Sequence, residues 1–239
     1  ALQKMPGATN RELILKVSLQ ANTFEMAKMK KKTKKDDVFG HGVKPLILLF
    51  LLISGSCGLV YEILWMKMLT LVIGNTVFSI TTVLTAFMGG LALGSFLAGR
   101  FIDKIRDPLR IYGILEGSIG AYALLLPLLI AGTEPLFRFV YQSINPSFYT
   151  FSLLRFFVCA IILLVPTTLM GATLPVLSKY FVEKPSDLGW NVGLLYGVNT
   201  FGAVLGSCPA GFVLIPILGI TWTIYLAALL NLSICAGML

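Results

Sequence analysis

The stretch Thr81-Thr82-Val83-Leu84-Thr85-Ala86-Phe87-Met88-Gly89-Gly90-Leu91-Ala92-Leu93-Gly94-Ser95-Phe96-Leu97-Ala98-Gly99 carries no charged side chain and is studded with glycine and alanine. At a rise of about 1.5 Å per residue it reaches roughly 28 Å as a helix, close to the thickness of a bilayer's hydrocarbon core. Gly90, Gly94 and Ala98 recur every four residues and so fall on one stripe. Such a stripe lets a second backbone approach closely, which is how helices associate in lipid. The segment therefore reads as one packed spanning helix among several.

Composition agrees. The 239 residues are 56% hydrophobic and 13% charged, with a mean hydropathy of +0.86, whereas soluble domains carry about 25% charge. The net charge of +8 comes largely from one short tail and from links between apolar runs. Basic residues so placed fix orientation in a membrane rather than bind nucleic acid, which is not expected as a partner. Cys57, Cys159, Cys208 and Cys235 lie in apolar runs without C-x-x-C spacing and read as packing residues, so neither a disulfide framework nor a metal site is expected.

Residues 1–43 are polar and weakly patterned. They contain Lys28-Met29-Lys30-Lys31-Lys32-Thr33-Lys34-Lys35, whose six lysines repel one another and suit a disordered tail lying on anionic lipid headgroups. Residues 1–25 do not share the pattern of the rest and are set aside from the fold reading. From 44 to 239 the chain reads as a membrane domain of about six spanning segments, near 45–68, 76–101, 109–131, 150–178, 190–214 and 219–239. Their links carry turn residues, among them Gly74-Asn75, Asp107-Pro108, Thr133-Glu134-Pro135 through Asn145-Pro146, Lys184-Pro185-Ser186-Asp187 and Pro216 through Gly219. Arg100, Lys104, Arg106, Arg110, Lys179 and Lys184 share a side with the tail, against chiefly Lys67 and Arg138 opposite. The positive-inside rule then puts both termini in the cytoplasm.

An internal repeat organises these segments. Leu93-Gly94-Ser95-Phe96-Leu97-Ala98-Gly99 recurs as Leu205-Gly206-Ser207-Cys208-Pro209-Ala210-Gly211, three segments later. An odd displacement makes the second copy cross in the opposite sense, the mark of an inverted three-plus-three repeat. Gly90, Gly94, Gly206 and Gly211 are the expected helix-packing positions, and Gly193-x-x-x-Gly197 and Gly202-x-x-x-Gly206 suit packing within the chain or against another.

Charges inside apolar segments are costly and face a bundle interior or a cavity, so they are the candidate site. Glu62, Glu116 and Arg155 qualify. Counted from the segment ends, Glu62 and Arg155 come to similar depths, where an ion pair is possible; Glu116 has only Arg110 or Lys104 near its level. Tyr61, Trp65 and Tyr196 offer aromatic faces to a cation. His41 sits between glycines in the tail and reads as solvated. Gly99, Asp103 and Lys104 form a loop motif: a carboxylate one turn past a glycine-packed helix end suits the positive amino terminus of the next helix. Their spacing resembles the cytoplasmic loop motif of major facilitator transporters.

Leu59-Val60-Tyr61-Glu62-Ile63-Leu64-Trp65, Gly74-Asn75-Thr76, Ala86-Phe87-Met88-Gly89-Gly90-Leu91-Ala92-Leu93-Gly94-Ser95, Met170-Gly171-Ala172-Thr173-Leu174-Pro175 and Gly193-Leu194-Leu195-Tyr196-Gly197-Val198-Asn199-Thr200-Phe201-Gly202-Ala203 together resemble the membrane portion of bacterial spermidine-synthase-like proteins. The resemblance covers roughly 45–239. It implies an all-α domain like half of a major facilitator fold, in the bacterial inner membrane. It also implies a cytoplasmic aminopropyltransferase domain after the helices, using decarboxylated S-adenosylmethionine and a polyamine. Leu239 falls inside the sixth segment, so that domain is expected beyond it or on a partner chain. Within these residues no dinucleotide fingerprint or phosphate loop occurs, so no catalytic, cofactor or metal residues are assigned. Two functions fit: a membrane module that anchors a polyamine-forming enzyme and handles its cationic amine, or a facilitator-like half-transporter or structural subunit unrelated to polyamines.

Overall fold

A computed structural model describes the backbone from Asn10 and side chains from Gly42 onward, excepting residues 75, 76 and 183. The Lys-rich tail and His41 lie outside the described side chains. The chain divides into two units, Ala1–Ile47 and Leu48–Leu239. The second holds the helix contacts and the site described below.

Helix α1 spans Asn10–Ile73, α2 Thr76–Phe101, α3 Pro108–Ile144, α4 Phe148–Phe181, α5 Leu188–Pro209 and α6 Ile215–Met238. Among the described residues, five helical runs are long and apolar enough to cross a membrane, the last being the composite run Pro185–Met238. At 54 residues that run would measure about 80 Å if straight, far more than one bilayer. It is not straight. A π-turn at Ala210–Leu214 follows Pro209, which supplies no amide proton to the helix ladder. Gly219, at φ 76° and ψ 176°, then breaks the helix outright, in a conformation that side chains rarely adopt. The expected link at Pro216 through Gly219 is thus a single glycine.

The third helix corrects the expected boundary at 131. Thr133-Glu134-Pro135 does not end it, and the helix runs to Ile144, where Asn145 turns left-handed at φ 45°. A proline costs a helix only its own amide bond and some crowding of the carbonyl four residues back. Here Thr133 Oγ1 bonds the Ile130 carbonyl at 2.7 Å and Arg138 pairs with Glu134 one turn on, at 2.6 Å.

Two glycine seams organise the packing. On α2, a Cβ at Gly90 would collide with Thr167 and one at Gly94 with the Thr168 carbonyl of α4, while Gly171 faces the Leu91 backbone. Ser95 Oγ donates to the Gly171 carbonyl at 2.9 Å. On α5, Gly202 and Gly206 meet the carbonyls of Leu52 and Ser56 on α1, and Gly55 meets Asn199. Ser56 Oγ donates to the Gly202 carbonyl at 2.7 Å. Residue numbers rise together along both seams, so each pairs parallel helices. The antiparallel α3 and α6 meet through Gly113, Gly117 and Gly120, against Met238, Cys235 and Ala228 to Leu232.

Not every expected packing glycine packs. Gly90, Gly94 and Gly206 do, but a Cβ at Gly211 would meet nothing within 4 Å, because the π-turn begins one residue earlier and rotates it away from the seam. Gly193 and Gly197 also face open space, along a groove of about 530 Å³ with Leu52, Trp190 and Phe201. Asp103 does not cap α3. Asp107 takes that role, accepting from Arg110 N at 3.2 Å with Pro108 at the first turn, because Ile102–Lys104 forms a 3-10 turn that ends before α3 starts. Lys104 lies 5.2 Å from the centre of the Phe101 ring, and a Cβ at Gly99 would meet nothing.

This packing makes the glycines separable by experiment. Gly94→Ala should lower the stability of the purified protein by about 1–3 kcal/mol, the usual cost of overpacking. Gly99→Ala should leave it unchanged or raise it by up to about 1 kcal/mol through helix propensity. Denaturant titration in detergent micelles distinguishes the two; equal losses would show that the α2–α4 seam does not limit stability.

Candidate functional site

Burying a carboxylate in an apolar bundle is costly unless donors surround it. Glu116, on α3, is completely buried, and two other helices supply its donors. Ser54 Oγ of α1 donates to Oε1 at 2.6 Å, and Asn231 Nδ2 of α6 donates to Oε2 at 2.5 Å. The opposite end of the Asn231 amide accepts from the Tyr61 hydroxyl at 3.0 Å. The sense of the amide follows from these neighbours: its NH₂ must face an acceptor-only carboxylate and its oxygen a hydroxyl.

Tyr61 is held by its own helix. Its ring stacks on Trp65, one turn on, with centroids 5.5 Å apart and planes 9° from parallel. Both rings are fully buried. Tyr112, one turn before Glu116, is also fully buried. Cys57 lines the same interface and points its Sγ at the Ala227 carbonyl, 3.6 Å away. The arrangement is a closed polar chain, Tyr61 to Asn231 to Glu116 from Ser54, inside hydrophobic packing. Both carboxyl oxygens face neutral donors, and among the described residues no cation pairs with Glu116.

The structure links Glu116 to Tyr61 through Asn231 and stacks Trp65 on Tyr61, and leaves the other sequence-derived candidates apart. Glu62 is buried but lies on another face of α1 from Tyr61, since adjacent helical residues point about 100° apart. Arg155 does not pair with it. Its Nη1 donates to the Ile73 carbonyl at 2.9 Å, eleven residues past Glu62 and so about 16 Å farther along α1. The two side chains differ in depth because α1 continues to Ile73, past the expected end at 68. Tyr196 is largely exposed and remote from Glu116. Ser54 and Asn231 are neither charged nor aromatic, so intramembrane charge and aromatic faces do not single them out. Asn231 had a legible signal, being a lone amide in the otherwise apolar run after Gly219; Ser54 had none, since helix serines usually bond their own backbone.

One curated relative matches. The chain is 27% identical over 187 residues to polyamine aminopropyltransferase 2 of Streptomyces coelicolor, an alignment covering 74% of this chain and 31% of that protein. The chain thus spans about a third of the length of the curated relative it matches. No family profile and no solved structure matches it. The similarity to a polyamine aminopropyltransferase and the long apolar helices agree with a membrane domain of such a protein.

Removing Asn231 tests the network. Asn231→Leu leaves Glu116 Oε2 and the Tyr61 hydroxyl without partners and should cost about 1–3 kcal/mol, whereas Tyr61→Phe removes one neutral bond and should cost about 0.5–1.5 kcal/mol. The double variant should cost less than the sum by at least about 0.5 kcal/mol. Additive losses in denaturant titrations would mean that the chain of bonds does not act as a unit.

Proposed function

We propose that this chain is the integral membrane domain of a spermidine-synthase-like protein, anchoring the transferase at the bacterial inner membrane and receiving a cationic amine at Glu116. The observation that carries the reading is the match to a polyamine aminopropyltransferase, falling on a chain made of long apolar helices. The anchoring role follows from where those helices leave the chain, and both ends are assigned to the cytoplasm.

That assignment rests on six crossings arranged as an inverted repeat, with the run Pro185–Met238 crossing twice and turning at Gly219. Contact geometry supports it. Gly94 and Gly206 stand 112 positions apart, as do Ser56 and Thr168. Gly94 packs on the Thr168 carbonyl and Gly206 on the Ser56 carbonyl. Exchanging the halves thus turns one contact into the other, as a two-fold axis requires. Ser56 and Thr168 each bond the carbonyl four residues back, Leu52 and Leu164, at 3.0 and 2.6 Å. With α2 parallel to α4 and α1 parallel to α5, short links between successive helices put the two repeated glycine motifs in opposite directions.

Glu116 suits an ammonium group. A carboxylate held by neutral donors has charge left to balance, and the Tyr61 ring, joined to it through Asn231, is of the kind that attracts organic cations. In the conformation described the carboxyl is sealed, so access requires the α3–α6 contact to open.

Two measurements test the reading. A fluorescent reporter fused after Leu239 should mature in the cytoplasm, and Ser186→Cys and Asn145→Cys should react with impermeant thiol reagents from opposite sides of the membrane. A dark reporter, or same-side labelling, overturns the topology. Spermidine binding to the purified chain should weaken by about tenfold in Glu116→Gln, the worth of one charge-assisted contact. Unchanged affinity removes Glu116 from the amine site.

A further inference from the structure

A second polar site lies at the opposite end of the bundle from the basic links. A cleft of about 540 Å³ is walled by Leu71 and Val72 of α1, Ile130 to Gln142 of α3, and Phe151 and Arg155 of α4. Arg155 is its floor. The guanidinium stands 4.1 Å from the Phe151 ring centre and 5.7 Å from that of Phe137. Nη1 is taken by the Ile73 carbonyl at the end of α1, and Nε is buried without a partner. The carboxylate in the cleft, Glu134, is already paired with Arg138, so among the described residues no anion balances Arg155.

A guanidinium about 10 Å inside the start of α4, in an apolar wall, calls for an anion with oxygens that can accept from its fork. The rest of the cleft describes that anion. Leu71 is 80% exposed and Ile144, Phe148 and Tyr149 surround the same end, at 71%, 63% and 79%. Exposed aromatic and aliphatic side chains at helix ends mark the level of lipid headgroups. The rim adds Arg138, Tyr141 and Gln142, all able to donate to phosphate oxygens. Apolar walls with a cationic floor and donor-bearing rim match an amphiphile more closely than a small soluble ion.

We propose that this cleft binds the phosphate of an anionic phospholipid, with Arg155 as the principal ligand and Leu71 and Val72 against the start of its acyl chains. The site is separate from Glu116 and independent of any amine. The chemistry recognised is a phosphate monoanion, and inorganic phosphate is the soluble alternative to be distinguished.

The full chain in nanodiscs tests it, using phosphatidylcholine alone or mixed with phosphatidylglycerol and native mass spectrometry to count retained lipid. The wild-type protein should retain phosphatidylglycerol over phosphatidylcholine by about tenfold, and Arg155→Gln should abolish that preference. Because Arg155→Gln also uncaps α1, Ala131→Phe provides a second variant that fills the cleft and keeps the arginine. It should lose the preference while unfolding at the wild-type temperature in phosphatidylcholine. Equal preference in wild type and Ala131→Phe overturns the proposal. So does inorganic phosphate displacing phosphatidylglycerol at millimolar concentration, which assigns the cleft to a soluble anion.

Discussion

Close approach of backbones is the constraint on which this fold depends. In water a helix pair is driven together by burying apolar side chains, but lipid tails are as apolar as leucine and supply no such drive. Contact must instead come from dispersion and from bonds to backbone oxygens, both of which fall off steeply with distance. At Gly94 and Gly206 the neighbouring carbonyl occupies the space a Cβ would need. The hydroxyls of Ser95 and Ser56 then reach carbonyls on the partner helix. Glycine is usually a weak helix former, and its use here exchanges helix propensity for interhelical distance.

The buried carboxylate depends on the same device. Gly113, Gly117 and Gly120 flank Glu116 on α3, and each lies against α6. Any side chain at those positions would push α6 outward and withdraw Asn231, whose amide donates to Oε2. Ser54 sits on α1 one residue before Gly55, which meets Asn199 of α5, so the seam that fixes α1 also fixes the donor to Oε1. The polar chain is held in register by glycines that contribute no polar side chain of their own.

Helix character is legible because apolar runs of bilayer length have few alternative readings. The glycine motif pointed correctly to Gly90, Gly94 and Gly206, since spacing by four determines a face. At Gly211 a Cβ would meet nothing, because Pro209 and the π-turn that follows it change the register. Arg155 was legible as unusual but not as to partner. A five-residue difference at a helix end moves a side chain about 8 Å in depth, enough to change which groups it reaches. Asn231 shows the opposite case, a neutral amide whose importance appears only when the carboxylate from another helix is placed beside it.

The proposed repeat also separates what is symmetric from what is not. Shifted by 112 positions, Glu116 corresponds to Ala228, Asn231 to Ile119, Tyr61 to Thr173, Ser54 to Pro166 and Arg155 to Val43. None of these five counterparts repeats the residue it replaces, whereas the seam residues Gly94 and Gly206, and the hydroxyls of Ser56 and Thr168, are kept. Packing can be shared between inverted halves because a close backbone contact is indifferent to which way the helix crosses. Chemistry directed at a solute or at one leaflet is not, since the two faces of the membrane differ. Under the proposed repeat, Gly90, Gly94, Gly202 and Gly206 belong to packing common to the two halves, and Glu116 to one half alone.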